Sequence, residues 1–171
     1  MDMRIRATLL GVLALALLTP AGVSAQQATR CMATVDLELS PGLSNEPSSG
    51  TFTSNGETGE VECEGPVNGK EPTGKGTWGV DGHYGTEDPD ACTTGGEGDA
   101  MQSSTVPTKD GEEKVTNNAT FTFGALQGGG TFGGEFTGDN AEGTFEVTPK
   151  EGDCVSAPIT KITVTLDYTL K

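Results

Sequence analysis

The chain has 171 residues, 33% of them hydrophobic, with 26 glycines, a single tryptophan and a formal net charge of −15. That length suits one domain with a core of ordinary size. Acidity on this scale repels nucleic-acid phosphate and anionic lipid, and the scattered Lys and Arg build no basic patch, so neither partner is expected.

The first 25 residues read as a secretory leader. Arg4 and Arg6 supply a charged start, Ala7 to Leu18 an apolar run, Pro20 a helix break, and Val23, Ser24 and Ala25 small residues before a cut at Gln26. The run is too short to span a bilayer. The expected product is one secreted all-β domain over 26–171, extracellular or held in the periplasm or cell envelope. Losing two bases and one acid with the leader leaves that domain more acidic still.

Beyond the leader the dominant period is two, the mark of strands with one buried and one wet face. Ala33, Val35, Leu37 and Leu39 alternate with Thr34, Asp36 and Glu38, and Val61 and Cys63 alternate with Glu60, Glu62 and Glu64. Trp78, Val80 and Tyr84 share one parity against Thr77, Asp81 and His83. Val115, Ala119, Phe121 and Phe123 oppose Thr116, Asn118, Thr120 and Thr122, and Phe132 and Phe136 lead to Phe145 and Val147. Ile162, Val164, Leu166, Tyr168 and Leu170 make the clearest strand. Ser40-Pro41-Gly42, Asn68-Gly69, Asp88-Pro89, Gly95-Gly96, Asp110-Gly111, Gly138-Asp139-Asn140 and Glu151-Gly152-Asp153 punctuate these runs as turns. The pattern predicts about eight or nine short antiparallel strands in a β-barrel, with a β-sandwich as the alternative. It places a hairpin over 130–148 and an irregular surface loop over 85–96. Glu, Asp, Lys and Thr on the wet face rule out the continuous apolar band of an outer-membrane barrel.

Cys31, Cys63, Cys92 and Cys154 are even in number in an exported chain and predict two disulfides. Three connectivities are open, with a lean towards Cys63 and Cys92, which would close a modest loop rich in glycine and charge. No close Cys-x-x-Cys pair and only one histidine argue against structural zinc.

Catalytic signals are sparse. His83 is the only histidine, on the wet parity, with nothing to identify a nucleophile or an orienting carboxylate. Glu60, Glu62 and Glu64 read as a solvated strand face. Glu87, Asp88, Asp90 and Asp99 offer calcium-type oxygen ligands without EF-hand spacing, and an acidic surface loop explains them as well. The glycines of 128–134 precede no helix and no Lys-Ser/Thr, so they make no phosphate cradle. No catalytic residue, metal site or cofactor is expected. Trp78, Tyr84, Phe121, Phe123, Phe132, Phe136, Phe145 and Tyr168 either fill the barrel or line a pocket for an apolar ligand.

Gly50-Thr51-Phe52, Gly76-Thr77-Trp78, Gly130-Thr131-Phe132 and Gly143-Thr144-Phe145 repeat one phrase at no constant interval. Together with Gly133 and Gly134 they resemble the glycine and aromatic grammar of small secreted bacterial barrels of the allene oxide cyclase-like, calycin-like type. The resemblance covers mainly 50–148 and implies a barrel fold. It places no catalytic residue on this chain, and the four cysteines and the acidity depart from the plant cyclase pattern. Three functions are therefore carried forward: an extracellular binding or structural protein, a cofactor-free barrel enzyme for a small apolar substrate, and an envelope or adhesion protein whose acidic face meets an extracellular polymer.

Overall fold

A computed structural model describes residues 28–126 and 130–171. The expected leader and cut site and the glycines at 128 and 129 lie outside the described residues.

Nine strands follow in chain order: β1 (Thr29–Leu43), β2 (Gly50–Thr53), β3 (Gly59–Glu64), β4 (Gly76–Tyr84), β5 (Gly96–Thr108), β6 (Gly111–Phe123), β7 (Phe132–Gly138), β8 (Ala141–Glu151) and β9 (Ile159–Leu170). They form one antiparallel sheet in the order β2-β1-β3-β4-β5-β6-β7-β8-β9, and the β1–β9 pairing closes the hydrogen bonding into a ring. Closure removes the free edges that an open sheet would present to other chains. The odd positions of β1 and the even positions of β9 turn inward, so Ala33, Val35 and Leu37 meet Leu166, Val164 and Ile162 across the seam.

β2 and β3 share one lane of this ring. Both pair with β1 and β4 in the same sense, β2 against their mouthward halves and β3 against the others. From Glu38↔Thr53 to Thr34↔Glu60, four steps along β1 match seven along the lane, so three residues loop out. Ser54 closes that excursion. Its N–H donates to the Val80 carbonyl at 3.0 Å, its hydroxyl donates to the Gly56 carbonyl at 2.7 Å, and the same oxygen accepts from the Val80 N–H at 2.8 Å. Gly79 lies directly against it, and a side chain there would come within 2.3 Å of the Gly56 carbonyl.

The turns at Asp110-Gly111 and Asp139-Asn140 lie where the sequence places them, joining β5 to β6 and β7 to β8. Asn68 and Gly69 both have positive φ between the bridged Val67 and Lys70, as an Asn-Gly type I′ turn requires. Two sequence readings need correction. Ser40-Pro41-Gly42 does not end a strand: β1 runs on to Leu43 with a register shift after Glu38, the kind of irregularity that tolerates a proline without an N–H. β5 is a full strand of 13 residues that hydrophobic alternation misses, because its inward positions are Gly98, Ala100, Gln102, Ser104 and Val106. Among the described residues no helix is long and apolar enough to cross a membrane.

Both disulfides join positions distant in sequence. Cys31 and Cys63 face each other across β1 and β3, and Cys92 in the β4–β5 loop joins Cys154 in the β8–β9 loop. The Cys63–Cys92 lean is thereby overturned. β1 and β3 are neighbours in the ring, a proximity set by topology and not by spacing.

Candidate functional site

The inward face changes character along the ring axis. At one end Val61, Val67 and Val106 are fully buried. The Asn117 side-chain Oδ1 accepts from the N–H groups of Asn140 (2.8 Å) and Ala141 (3.0 Å), tying in the β7–β8 turn. At the other end aromatic side chains join aliphatic ones on the inward face, and Phe52, Phe121, Phe123, Phe132 and Phe145 are only partly buried.

Those rings are placed by glycines. In the sheet register Phe52 faces Gly82, Phe121 faces Gly98, Phe145 faces Gly134 and Phe136 faces Gly143. A Cβ built on Gly82, Gly98 or Gly134 would lie 2.5 Å from the tip of the facing ring. Each of these three rings therefore lies over a bare stretch of the neighbouring strand, the aromatic covering of glycine that lets a curved sheet keep its pairing. Phe121 is the hub, with ring centroids 5.7 Å from Phe52, 6.0 Å from Phe145 and 6.3 Å from Phe123, and Phe123 lies 5.4 Å from Phe132. The two contacts to Phe52 and Phe145 are edge-to-face, a favoured arrangement of ring quadrupoles.

Beneath these rings is an apolar cavity of about 90 Å³. Its wall includes Trp78, Tyr84, Phe121, Phe123, Phe132, Phe136 and Phe145, seven of the eight aromatics singled out in the sequence, drawn from four strands. Tyr168, the eighth, lies deeper. Its ring packs against Phe136 at 6.2 Å between centroids and borders a separate space of about 10 Å³ with Trp78, Gln102, Ser104 and Asn117. Burial raises its phenol above the ordinary range. Sequence reasoning missed Phe52, Gln102 and the aliphatic wall of Leu37, Ile162 and Val164. Phe52 was visible in its Gly-Thr-Phe phrase, and Gln102 only once β5 is placed.

The other candidates stand elsewhere. His83 is on the outer face, its Nδ1 3.0 Å from Asp99 Oδ2, with both side chains exposed. Glu60, Glu62 and Glu64 point outward, and Glu60 accepts from Lys75 Nζ at 2.8 Å. The four loop acids do not converge: Asp90 is turned inward and 2% exposed, Glu87 and Asp88 are exposed, and Asp99 is on β5. Among the described residues no group of three His, Cys, Asp or Glu side chains is arranged to hold a metal. Among the described residues, Tyr84 is the only ionisable one on the wall of the apolar cavity. Its hydroxyl donates to the Pro41 carbonyl, and burial raises its pKa above the ordinary phenol value.

No protein-family model, curated protein or solved structure matches the chain. The likeness to allene oxide cyclase-like barrels accordingly rests on the Gly-Thr-Phe phrases alone.

The cavity end is fastened by its loops. Cys92 is bonded to Cys154, its N–H donates to the Ser44 carbonyl at 2.8 Å, and its carbonyl accepts from the Leu126 N–H at 2.7 Å. Segments after β1, β4, β6 and β8 thus meet around one cysteine.

Proposed function

We propose that the protein is an exported binding protein that takes the apolar end of a small molecule into the mouth of its closed sheet. The observation that carries this reading is the convergence of seven aromatic side chains, scattered from Trp78 to Phe145, on one apolar cavity behind a partly exposed rim. A ring of this size that served only as a structural block has no need to leave large rings partly in water, where their burial is incomplete and their stabilisation forfeited. The volume limits what enters. It is smaller than the engineered cavity of about 150 Å³ that holds one benzene, so a larger ligand seats only its tip and leaves the rest across the phenylalanine rim.

The enzymatic reading has less support. General acid–base work needs a titrating group within hydrogen-bond reach of the substrate, and among the described residues the cavity wall offers a phenol already engaged with a backbone carbonyl and no other titrating group.

Trp78 is the sole tryptophan and stands on the cavity wall, so its emission reports occupancy directly. Titration with small apolar molecules is expected to shift or quench it saturably, and native mass spectrometry of the unreduced secreted protein is expected to retain a small molecule. A flat Trp78 response across apolar probes, together with a bare native mass, would refute the proposal.

A further inference from the structure

Among the described residues, Gln102 is the one on the cavity wall that brings a side-chain amide to it, and it is only 7% exposed. It projects from the inward face of β5, opposite Val80, and also borders the small space shared with Trp78, Ser104, Asn117 and Tyr168. No other described side chain or backbone group donates to or accepts from its amide, although Ser54, Asn117 and Asn118 nearby in the ring are tied by such bonds. Its amide is not among the sealed polar atoms, which are those of Ser48, Asp90 and Asn117. An amide nine-tenths buried, unbonded and still accessible faces space that another molecule can fill.

We propose that Gln102 selects the ligand of this cavity: an uncharged molecule with an apolar body and one hydroxyl or carbonyl oxygen at its buried end. This rests on the cavity being a binding site. The amide donates through Nε2 and accepts through Oε1, so it serves either oxygen type. A ligand that lacks the polar atom leaves the amide unpaired, and a site built around a hydrogen-bonding group discriminates against such analogues more strongly than an apolar pocket discriminates by size. Charge is excluded by the same wall. Among the described residues no Lys, Arg, Asp or Glu lines the cavity, so a buried carboxylate or ammonium would lack a counter-ion there.

Phenol and toluene differ by a hydroxyl in place of a methyl group and suit the test. Titrations of the full secreted protein are followed by Trp78 emission and by the side-chain amide resonances of Gln102 in 15N-labelled protein. Wild type is expected to bind phenol about five- to tenfold more tightly than toluene, the factor that one neutral hydrogen bond confers. Benzoate and benzylamine are expected to bind far more weakly. In Gln102→Leu and Gln102→Met the preference is expected to vanish through weaker phenol binding, with toluene held or improved. Equal affinity for phenol and toluene in wild type, a preference that survives both variants, or benzoate or benzylamine binding as tightly as phenol overturns the selectivity while leaving the cavity reading intact. Failure of every probe to bind wild type overturns the cavity reading itself. If neither variant folds, the wild-type preference and a Gln102 amide shift caused by phenol and not by toluene decide the question.

Discussion

The two ends of the closed sheet are built from the same alternation and finish differently. At the end that holds Cys31–Cys63, small aliphatic residues and bonded polar groups fill the interior, and the Asn68-Gly69 and Asp139-Asn140 turns close over it. At the end that holds Cys92–Cys154, phenylalanines lean over facing glycines and take the space beside them, and the cavity is bounded by those rings. Pairing a large residue with glycine, instead of two medium ones, lets the ring lie along the neighbouring strand. The contrast also separates the work of the two disulfides: one holds strands, the other holds the loops that frame the mouth.

The largest expected effects come from breaking these bonds separately. The bonds span 32 and 62 residues, and in the chain-entropy view each stabilises by about 4 kcal/mol, the longer loop by about half a kcal/mol more. Denaturant unfolding of Cys31→Ser/Cys63→Ser and Cys92→Ser/Cys154→Ser is expected to show losses of that order, larger in the second. Only the second is expected to weaken the response of Trp78 to apolar probes, since only Cys92 anchors segments around the mouth. Equal loss of binding in both would dissolve the division of labour.

The next effect sharpens the glycine argument. Alanine at Gly134 would place its Cβ 2.0 Å from the Thr122 carbonyl and 2.5 Å from the Phe145 ring tip, and both backbone and ring must shift. Gly134→Ala is expected to cost about 1 to 3 kcal/mol, as overpacked sites do. Gly74, in the β3–β4 connection, has open space where a Cβ would go and no positive φ. Gly74→Ala is expected to be neutral or to stabilise by about 0.4 to 1 kcal/mol through the unfolded chain. Thermal melts of the pair check that the cost follows the crowding by Thr122 and Phe145 and not the loss of a glycine as such.

Much of this architecture was legible in the sequence because alternation reports which face of a strand is buried. Ile162 to Leu170 announces β9, and Asp110-Gly111 and Asp139-Asn140 announce their hairpins. What alternation omits is height along the ring axis: Tyr168 shares its inward face with Leu166 yet lies below the cavity that Leu166 lines. Small and polar inward residues hid β5 and with it Gln102, since Gly, Ala and Ser carry no hydrophobic contrast. The cysteine partners were unreadable for a similar reason, because they follow from β3 sharing a lane with β2 beside β1. Asp90 counted as one loop acid among four, and only the fold shows it turned inward.

Asp90 supplies the smallest effect and a test of how tightly the mouth is framed. It is bridged to Ser48 by two backbone hydrogen bonds of 2.9 Å, and its Oδ1 accepts from the Glu97 N–H at 3.1 Å. Its Oδ2 and the Ser48 hydroxyl are both buried without partners. Burial raises the Asp90 pKa above the ordinary carboxyl value, a rise that Glu97 reinforces and backbone donors oppose. A raised folded-state pKa means that the native protein binds the proton more readily than the unfolded chain. Asp90 therefore detracts from stability at neutral pH, and this cost fades as pH falls through its folded pKa towards the unfolded one. Asp153 has the opposite sign: held to about 2 by the Ser156, Val155 and Ala157 donors, it contributes above the ordinary aspartate range and loses that contribution as pH falls towards 2. Asp90→Asn keeps the acceptor for Glu97 and removes the charge, so the variant is expected to melt higher than wild type at pH 7, with the gap closing by about pH 4. A gap that stayed constant from pH 7 to 4 would mean that Asp90 acts at the mouth through shape alone. A variant less stable than wild type at pH 7 would mean that its second oxygen is bonded in solution, by water or by the ligand itself.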